Sequence, residues 1–334
     1  MLFPAWQRGA GAATFTLMRP IRSLLLFFLA VFVGGGLLAP WLYWLAQRTG
    51  LESLMQLPFY RFLTRGMLLL ALVGLWPFVQ SLGVDSWSSV GIVKPAGEWK
   101  RLGGGFALGF GSLALVAVLA LSFGARQFDG GIGGRWWDKL PGIALTAAVV
   151  AALEELLFRG AIFGALRRAY GWTAALLGSS AVYAVVHFFP TAESAGSVTW
   201  SSGLELLLRL VLGFAQPALL LPGVITLTLA GAILALAFQR TGNLYFSIGL
   251  HAGWIFWLRF YVVMTDLRPG APTWFWGTGK LYDGCLALLA LGAAGLVVWK
   301  LPQTRTIPEA GAELGNDSAK PRIVTNAHES IHGL

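Results

Sequence analysis

Apolar runs long enough to cross a bilayer recur along this chain at about 23–46, 66–84, 103–124, 140–166, 172–190, 218–239, 243–264 and 282–299. Each approaches the ~20 residues that a helix needs to cross the hydrocarbon core. All are expected to be helices, because lipid offers an open backbone no hydrogen-bonding partner. The pattern therefore predicts an all-α, polytopic integral membrane helix bundle of about eight transmembrane helices. The run 203–216 (GLELLLRLVLGFAQ) is ambiguous. Glu205 and Arg209 stand four residues apart, where they can pair on one helical face. We read this run as an interfacial or re-entrant helix broken at Pro217 and Pro222, with a ninth span as the alternative.

Composition agrees with the pattern. Of the 334 residues, 56% are hydrophobic and only 12% charged, and the mean hydropathy is +0.69. A soluble domain carries about 25% charged residues. The net charge of +9 implies contact with anionic lipid headgroups before anything else. No dense Lys/Arg run points to nucleic acid. The single Cys285 excludes an internal disulfide, a CxxC pair and a cysteine metal cage. The first apolar run, preceded by Arg8, Arg19 and Arg22, is too long for a signal-peptide core and is expected to be the first span. With a cytoplasmic N-terminus, 11 basic residues fall on the inner side and 8 on the outer, which favours that orientation. Tryptophans such as Trp41, Trp44, Trp136, Trp137, Trp172 and Trp299 fall near span ends, as an interfacial belt. Residues 301–334 read as a disordered polar tail. No internal repeat of transporter type is visible.

Ionisable groups inside a bilayer are costly, so each needs a reason. The fourth span holds Glu154, Glu155 and Arg159 well inside it. Glu155 and Arg159 are four apart and share a face, which predicts a neutralising pair. Glu154 is turned about 100° away and lacks that partner. A structural carboxylate cluster is the plain account of these three. Histidine changes the balance: His328 and His332 belong to the tail, whereas His187 and His251 both lie inside spans. One carboxylate and two histidines can hold a base, an orienting partner and an oxyanion donor around a water. Glu154, His187 and His251 can equally hold a zinc ion with an open position. Tyr183 lies one turn before His187 and can reach the same site, or simply pack. The pairs Gly160/Gly164 and Gly249/Gly253 allow close helix approach. Arg259, eight residues after His251, is expected to snorkel to the outer headgroups or pair with Asp266, or else to attract an acidic group of a substrate.

At these residues the chain resembles the CPBP family, also called Abi or type II CAAX prenyl endopeptidases. Its pattern is EExxxR on one transmembrane helix, FxxxH on the next and HxxxN or HxxxD on a later one. Here the first is Glu154-Glu155-x-x-x-Arg159. The second is Tyr183-x-x-x-His187, with tyrosine for phenylalanine, and the third is His251-x-x-x-Ile255, without its polar end. The likeness covers about 140–260. It implies a catalytic transmembrane core at 140–300, preceded by N-terminal transmembrane helices over 1–139.

The resemblance further implies an intramembrane endopeptidase without a cofactor, acting on membrane-associated or lipid-modified chains or on signal or bacteriocin-like peptides. Glu154 and His187 are then expected to activate a water and His251 to bind the oxyanion, with Glu155, Arg159 and Tyr183 in support. Zinc at Glu154, His187 and His251 stays as the alternative to a metal-free site. Ile255 cannot donate a hydrogen bond, so the oxyanion lacks that donor unless Tyr183, Ser247 or a backbone N–H replaces it. Two other readings compete: a non-proteolytic family member acting as membrane chaperone or immunity factor, and a proton-coupled transporter.

Overall fold

A computed structural model describes residues 9–83, 86–128, 135–187, 197–213, 217–278 and 281–303. The expected tail, from residue 304 onward, lies outside the described residues. The described residues are mostly helical, with almost no strand. In order come α1 (Gly9–Gln47), α2 (Glu52–Met55), α3 (Phe59–Ser81), α4 (Trp99–Ser122) and α5 (Leu140–Glu155). A π-helical segment, Leu156–Phe163, joins α5 to α6 (Gly164–His187). Then follow α7 (Ser202–Gly213), α8 (Pro217–Thr241), α9 (Tyr245–Met264), α10 (Thr273–Trp276) and α11 (Cys285–Trp299). Two short strands, β1 (Arg126–Phe128) and β2 (Thr265–Leu267), pair antiparallel.

Among the described residues, six helical stretches are long and apolar enough to cross a membrane. One of them, Trp137–His187, spans 51 residues and contains the fourth expected run and the fifth as far as His187, the last three residues of that run lying outside the described residues. The chain reverses inside it at Gly171, whose φ of 81° and ψ of 178° are open only to glycine without strain. The last expected run is shorter than its apolar sequence. Its helix begins only at Cys285 and has 15 residues, because Gly284 is still extended. α7 has 12 residues, or about 18 Å, too short to cross. Its Glu205 takes a hydrogen bond from the Ser201 hydroxyl at 2.5 Å. Among the described residues the Glu205–Arg209 pair does not form. Pro217 opens α8, where a missing N–H costs nothing. Pro222 does not break the chain but lies inside α8, a position that membrane helices tolerate.

The helices that matter most for the site are α4 and α9. Four glycines let their backbones meet. A Cβ at Gly105 would lie 2.1 Å from the Phe246 carbonyl oxygen, and one at Gly109 2.1 Å from that of Leu250. From the other side, a Cβ at Gly249 would lie 2.0 Å from the Leu102 oxygen, and one at Gly253 2.4 Å from the Phe110 nitrogen. The expected Gly160/Gly164 pair is only half used. Gly160 sits against the Val90 carbonyl, whereas a Cβ at Gly164 would meet nothing closer than 3.6 Å.

The α4–α9 seam is fastened at both ends. At one, Asn243 Nδ2 donates to Glu98 Oε2 at 3.0 Å, and Arg101 pairs with the same carboxylate at 2.8 Å. At the other, buried Arg126 donates to Thr265 Oγ1 at 2.8 Å and lies 4.3 Å from the Tyr261 ring centre. Aliphatic packing of Leu113, Val116, Leu234, Leu250 and Leu291 fills the space among α4, α8, α9 and α11. A second cluster joins α1, α3, the π segment, α6 and α8, with Phe27 stacked on Phe78 at 4.4 Å between centroids.

Two neighbouring glycines of α4 give a matched test. Gly109→Ala drives a methyl into the Leu250 carbonyl and should cost about 3 kcal/mol. Gly111 has nothing within 4 Å, so Gly111→Ala should be neutral or slightly stabilising through helix propensity. Thermal melts of the two variants in detergent check this, and equal melting temperatures would refute the close seam.

Candidate active site

The site is built where α5 passes into the π segment. Successive helical residues point about 100° apart, so the two adjacent carboxylates face different neighbours. Glu155 turns inward and is fully buried. Its Oε1 accepts from Arg159 Nη1 at 2.8 Å and from His251 Nδ1 at 3.0 Å. The arginine is equally buried, its second amino group donating to the Gly231 carbonyl of α8 at 3.2 Å. Its guanidinium also lies 4.5 Å over the Tyr183 ring. A buried charge left alone costs several kcal/mol; this pair is neutral as a unit, with both of the carboxylate's hydrogen bonds on Glu155 Oε1 and none to Oε2 among the described residues.

Glu154 faces the other way, toward α6. Its Oε2 lies 3.3 Å from His187 Nε2 and 3.7 Å from His251 Nε2. Glu154 and His187 keep 25% and 28% of their side-chain surface accessible, against 5% for His251. The side chains of the first two are thus partly exposed, although Glu154 Oε2 itself is buried, while His251 sits beneath them. Glu154 Oε2 itself takes no hydrogen bond from any described residue.

The hydrogen bonds fix the histidine protons. His187 Nδ1 lies 2.7 Å from the Tyr183 carbonyl, which can only accept, so Nδ1 carries a proton. Nε2 is then free to exchange a proton with Glu154. His251 Nδ1 likewise donates to Glu155, which leaves Nε2 to accept from the Tyr183 hydroxyl at 3.2 Å. These tautomers are assigned from the partners. Zinc-binding histidines usually have such acceptors behind them. The sequence offers these spans no further carboxylate and leaves Glu155 or backbone carbonyls as the candidates; the fold places Glu155 behind His251 and a backbone carbonyl behind His187.

Tyr183 is buried between Phe158, edge-on at 5.1 Å, and the Arg159 guanidinium. Ile255 lies one turn beyond His251, half-buried. Ser247, one turn before His251, is buried and donates to the Leu244 carbonyl. Three groups were not singled out from sequence. Gly231 allows Tyr183 Cδ1 within 3.3 Å of where a Cβ would stand, and lends Arg159 its carbonyl. Phe158 braces Tyr183, and Tyr282, just before α11, packs on the same cluster. The small-residue patch around Gly231 (LAGA) was the signal available for the first. For the other two, one aromatic among many gives none.

Residues 136–257 match the family model described as type II CAAX prenyl endopeptidase Rce1-like. The matched stretch carries every site residue named above except Tyr282. It gives the chain the general character of a CAAX-type intramembrane endopeptidase, embedded in the membrane. The helices before Arg135 and after Leu258 lie outside the match. Comparison with curated proteins and with solved structures finds no match.

The Rce1-like core should be sensitive to loss of its buried cation. Arg159→Leu leaves Glu155 charged and without its partner, and should cost about 3–5 kcal/mol. Combining it with Glu155→Gln should recover part of that loss. Melting of the purified single and double variants reads this directly; an Arg159→Leu protein as stable as the parent would show that the pair does not hold the bundle.

Proposed function

We propose that the chain hydrolyses a peptide bond of a membrane-associated, lipid-modified or peptide substrate with a water activated by Glu154 and His187. The observation that carries this reading is Glu154 Oε2, set 3.3 Å from His187 Nε2 and without a hydrogen-bond partner among the described residues, on a side chain that keeps a quarter of its surface exposed. The water gives its proton to Glu154, with His187 sharing the charge, and the hydroxide attacks the carbonyl carbon. The same proton then passes to the leaving amine. Glu154 is half of an adjacent carboxylate pair, but it is the half whose side chain is partly exposed. Glu155 is spent on Arg159 and His251 and acts as a positioning group. The reading is metal-free.

The oxyanion needs a donor that Ile255 does not provide. Tyr183 supports a substitution: its hydroxyl already lies 3.2 Å from His251 Nε2 and can rotate onto the carbonyl oxygen. His251, held by Glu155, orients that hydroxyl and, when protonated, is itself a donor. The substrate's apolar part has a place beside α6. A groove of about 710 Å³ runs between α1, α6 and α7, walled by residues including Leu24, Phe28, Val182, Val186, Leu204 and Leu207. Val182 and Val186 stand one residue before Tyr183 and His187, about 100° around the helix, so the groove runs alongside the reactive pair and a peptide must round α6 from it to reach them. A cytoplasmic N-terminus puts the α6 C-terminal end, with His187, toward the outer side.

The test compares the N- and C-termini of membrane proteins in cells carrying the parent chain or Glu154→Ala. Cleaved termini present only with the parent support the proposal, and a general base of this kind contributes about 10²–10⁴ in rate. Identical termini in both would favour the chaperone or immunity reading. Stoichiometric zinc in purified protein, with activity lost to chelation and restored by zinc, would replace the metal-free reading with a zinc-bound water.

A second experiment addresses the oxyanion. Tyr183→Phe should lower kcat by about 10²–10³ with little change in KM. Ile255→Asn should then matter mainly in that background, restoring part of the loss, and do little alone. An acceleration by Ile255→Asn in the parent would mean that Tyr183 does not fill the role.

A further inference from the structure

The start of α5 and the last turns of α9 enclose a cleft of about 450 Å³, lined among the described residues by Lys139, Ile143, Leu258, Arg259, Val262 and Val263. Both helices follow the same pattern. Lys139 has Ile143 one turn on, and Arg259 has Val263 one turn on, with Leu258 and Val262 forming a parallel aliphatic row. Residues four apart share a helical face, so each wall presents one cation among aliphatic groups. Lys139 stands at the N-cap of α5, at the end of its span. Arg259 lies five residues before the end of α9, which places it about 7–8 Å inside that end.

A cation at that depth needs a partner or a path to water. Asp266 is engaged in the β1–β2 pairing opposite Gln127 and does not line the cleft; nor does Asp138, the residue before Lys139. Among the described residues Arg259 has no ion-pair partner. The cleft thus joins two cations, an apolar wall and a position at the edge of the bilayer. An inorganic anion would satisfy the cations and leave the aliphatic wall unused. A substrate carboxylate would have to come from the His251 face, from which Arg259 is rotated by about 80° and displaced by about 12 Å.

We propose that this cleft binds an anionic phospholipid, its phosphate between Lys139 and Arg259 and its glycerol and first methylenes on Ile143, Leu258, Val262 and Val263. The lipid then bridges α5 and α9, the two helices that carry Glu154, Glu155 and His251. It neutralises Arg259 from outside the chain, as Glu155 neutralises Arg159 from within.

The full chain, purified in neutral detergent, is melted and examined by native mass spectrometry with short-chain phosphatidylglycerol, short-chain phosphatidylcholine or inorganic phosphate. Phosphatidylglycerol alone should raise the melting temperature and remain bound. Lys139→Gln with Arg259→Gln should weaken that binding by about 30-fold, the combined effect of two cations near a headgroup. The charge-preserving pair Lys139→Arg with Arg259→Lys should retain it, which separates lost charge from lost fold. An equal effect of phosphatidylcholine, the same shift with phosphate alone, or undiminished lipid binding by the double glutamine variant would each overturn the proposal. None of these readouts depends on peptide cleavage.

Discussion

A carboxylate in the middle of a membrane bundle must be neutralised where it stands, and the arrangement of this protein follows from how Glu155 is neutralised. Its partner Arg159 comes from the next turn of the same chain. The arginine cannot be satisfied by one carboxylate, and its remaining donor reaches the Gly231 carbonyl on α8. The glutamate in turn accepts from His251 on α9. Tyr183 on α6 lies under the guanidinium. One buried charge pair thereby fixes the relative positions of four segments. It also fixes the proton on His251, since an imidazole beside a carboxylate keeps its N–H toward it.

With Glu155 committed in this way, Glu154 is free to do something else. The two adjacent residues differ only by a helical step, yet one is sealed and the other keeps a quarter of its side-chain surface accessible. Rotation about a helix axis is a simple way to give neighbouring carboxylates different tasks without separate elements. The π segment that follows adds to this. Its i→i+5 hydrogen bonds widen the helix where Phe158 and Arg159 must both reach the site, and such segments are often found at functional positions.

Much of this was legible in the sequence, for a physical reason: charges and histidines in apolar runs are expensive, so the few present stand out. Glu154, Glu155, Arg159, His187 and His251 could all be marked from that cost alone, and the apolar runs gave the bundle with the α5–α6 reversal near Gly171. What was hidden needs a partner from elsewhere in the chain. Periodicity gives the face of Glu155, but not that His251 arrives on it. Glu155 and backbone carbonyls are the candidate acceptors the sequence offers the histidines, but no spacing rule tells which of them stands behind which ring. The π segment is invisible to a 3.6-residue pattern. Helix ends were also misplaced where composition stays apolar past the turn. The run from 282 begins as loop because Gly277 and Gly284 pack backbone on backbone, with a Cβ at Gly284 only 2.3 Å from the Gly277 nitrogen.

The glycine seam explains how a polar site can be held firmly in a medium that gives no hydrophobic force between helices. Association inside lipid rests on close packing and hydrogen bonds. Gly249 and Gly253 flank His251 in sequence, but lie about 200° around α9 from it. One face of the helix is thus spent on backbone contact with α4, and the opposite face carries the imidazole. Hydrogen bonds from Asn243 to Glu98 and from Arg126 to Thr265 lock the register at either end. Any slip of α9 along α4 would break both locks and carry His251 away from Glu155. Rigidity on one side is therefore what allows the other side to keep the Glu154 carboxylate, two histidines and a tyrosine within reach of one another.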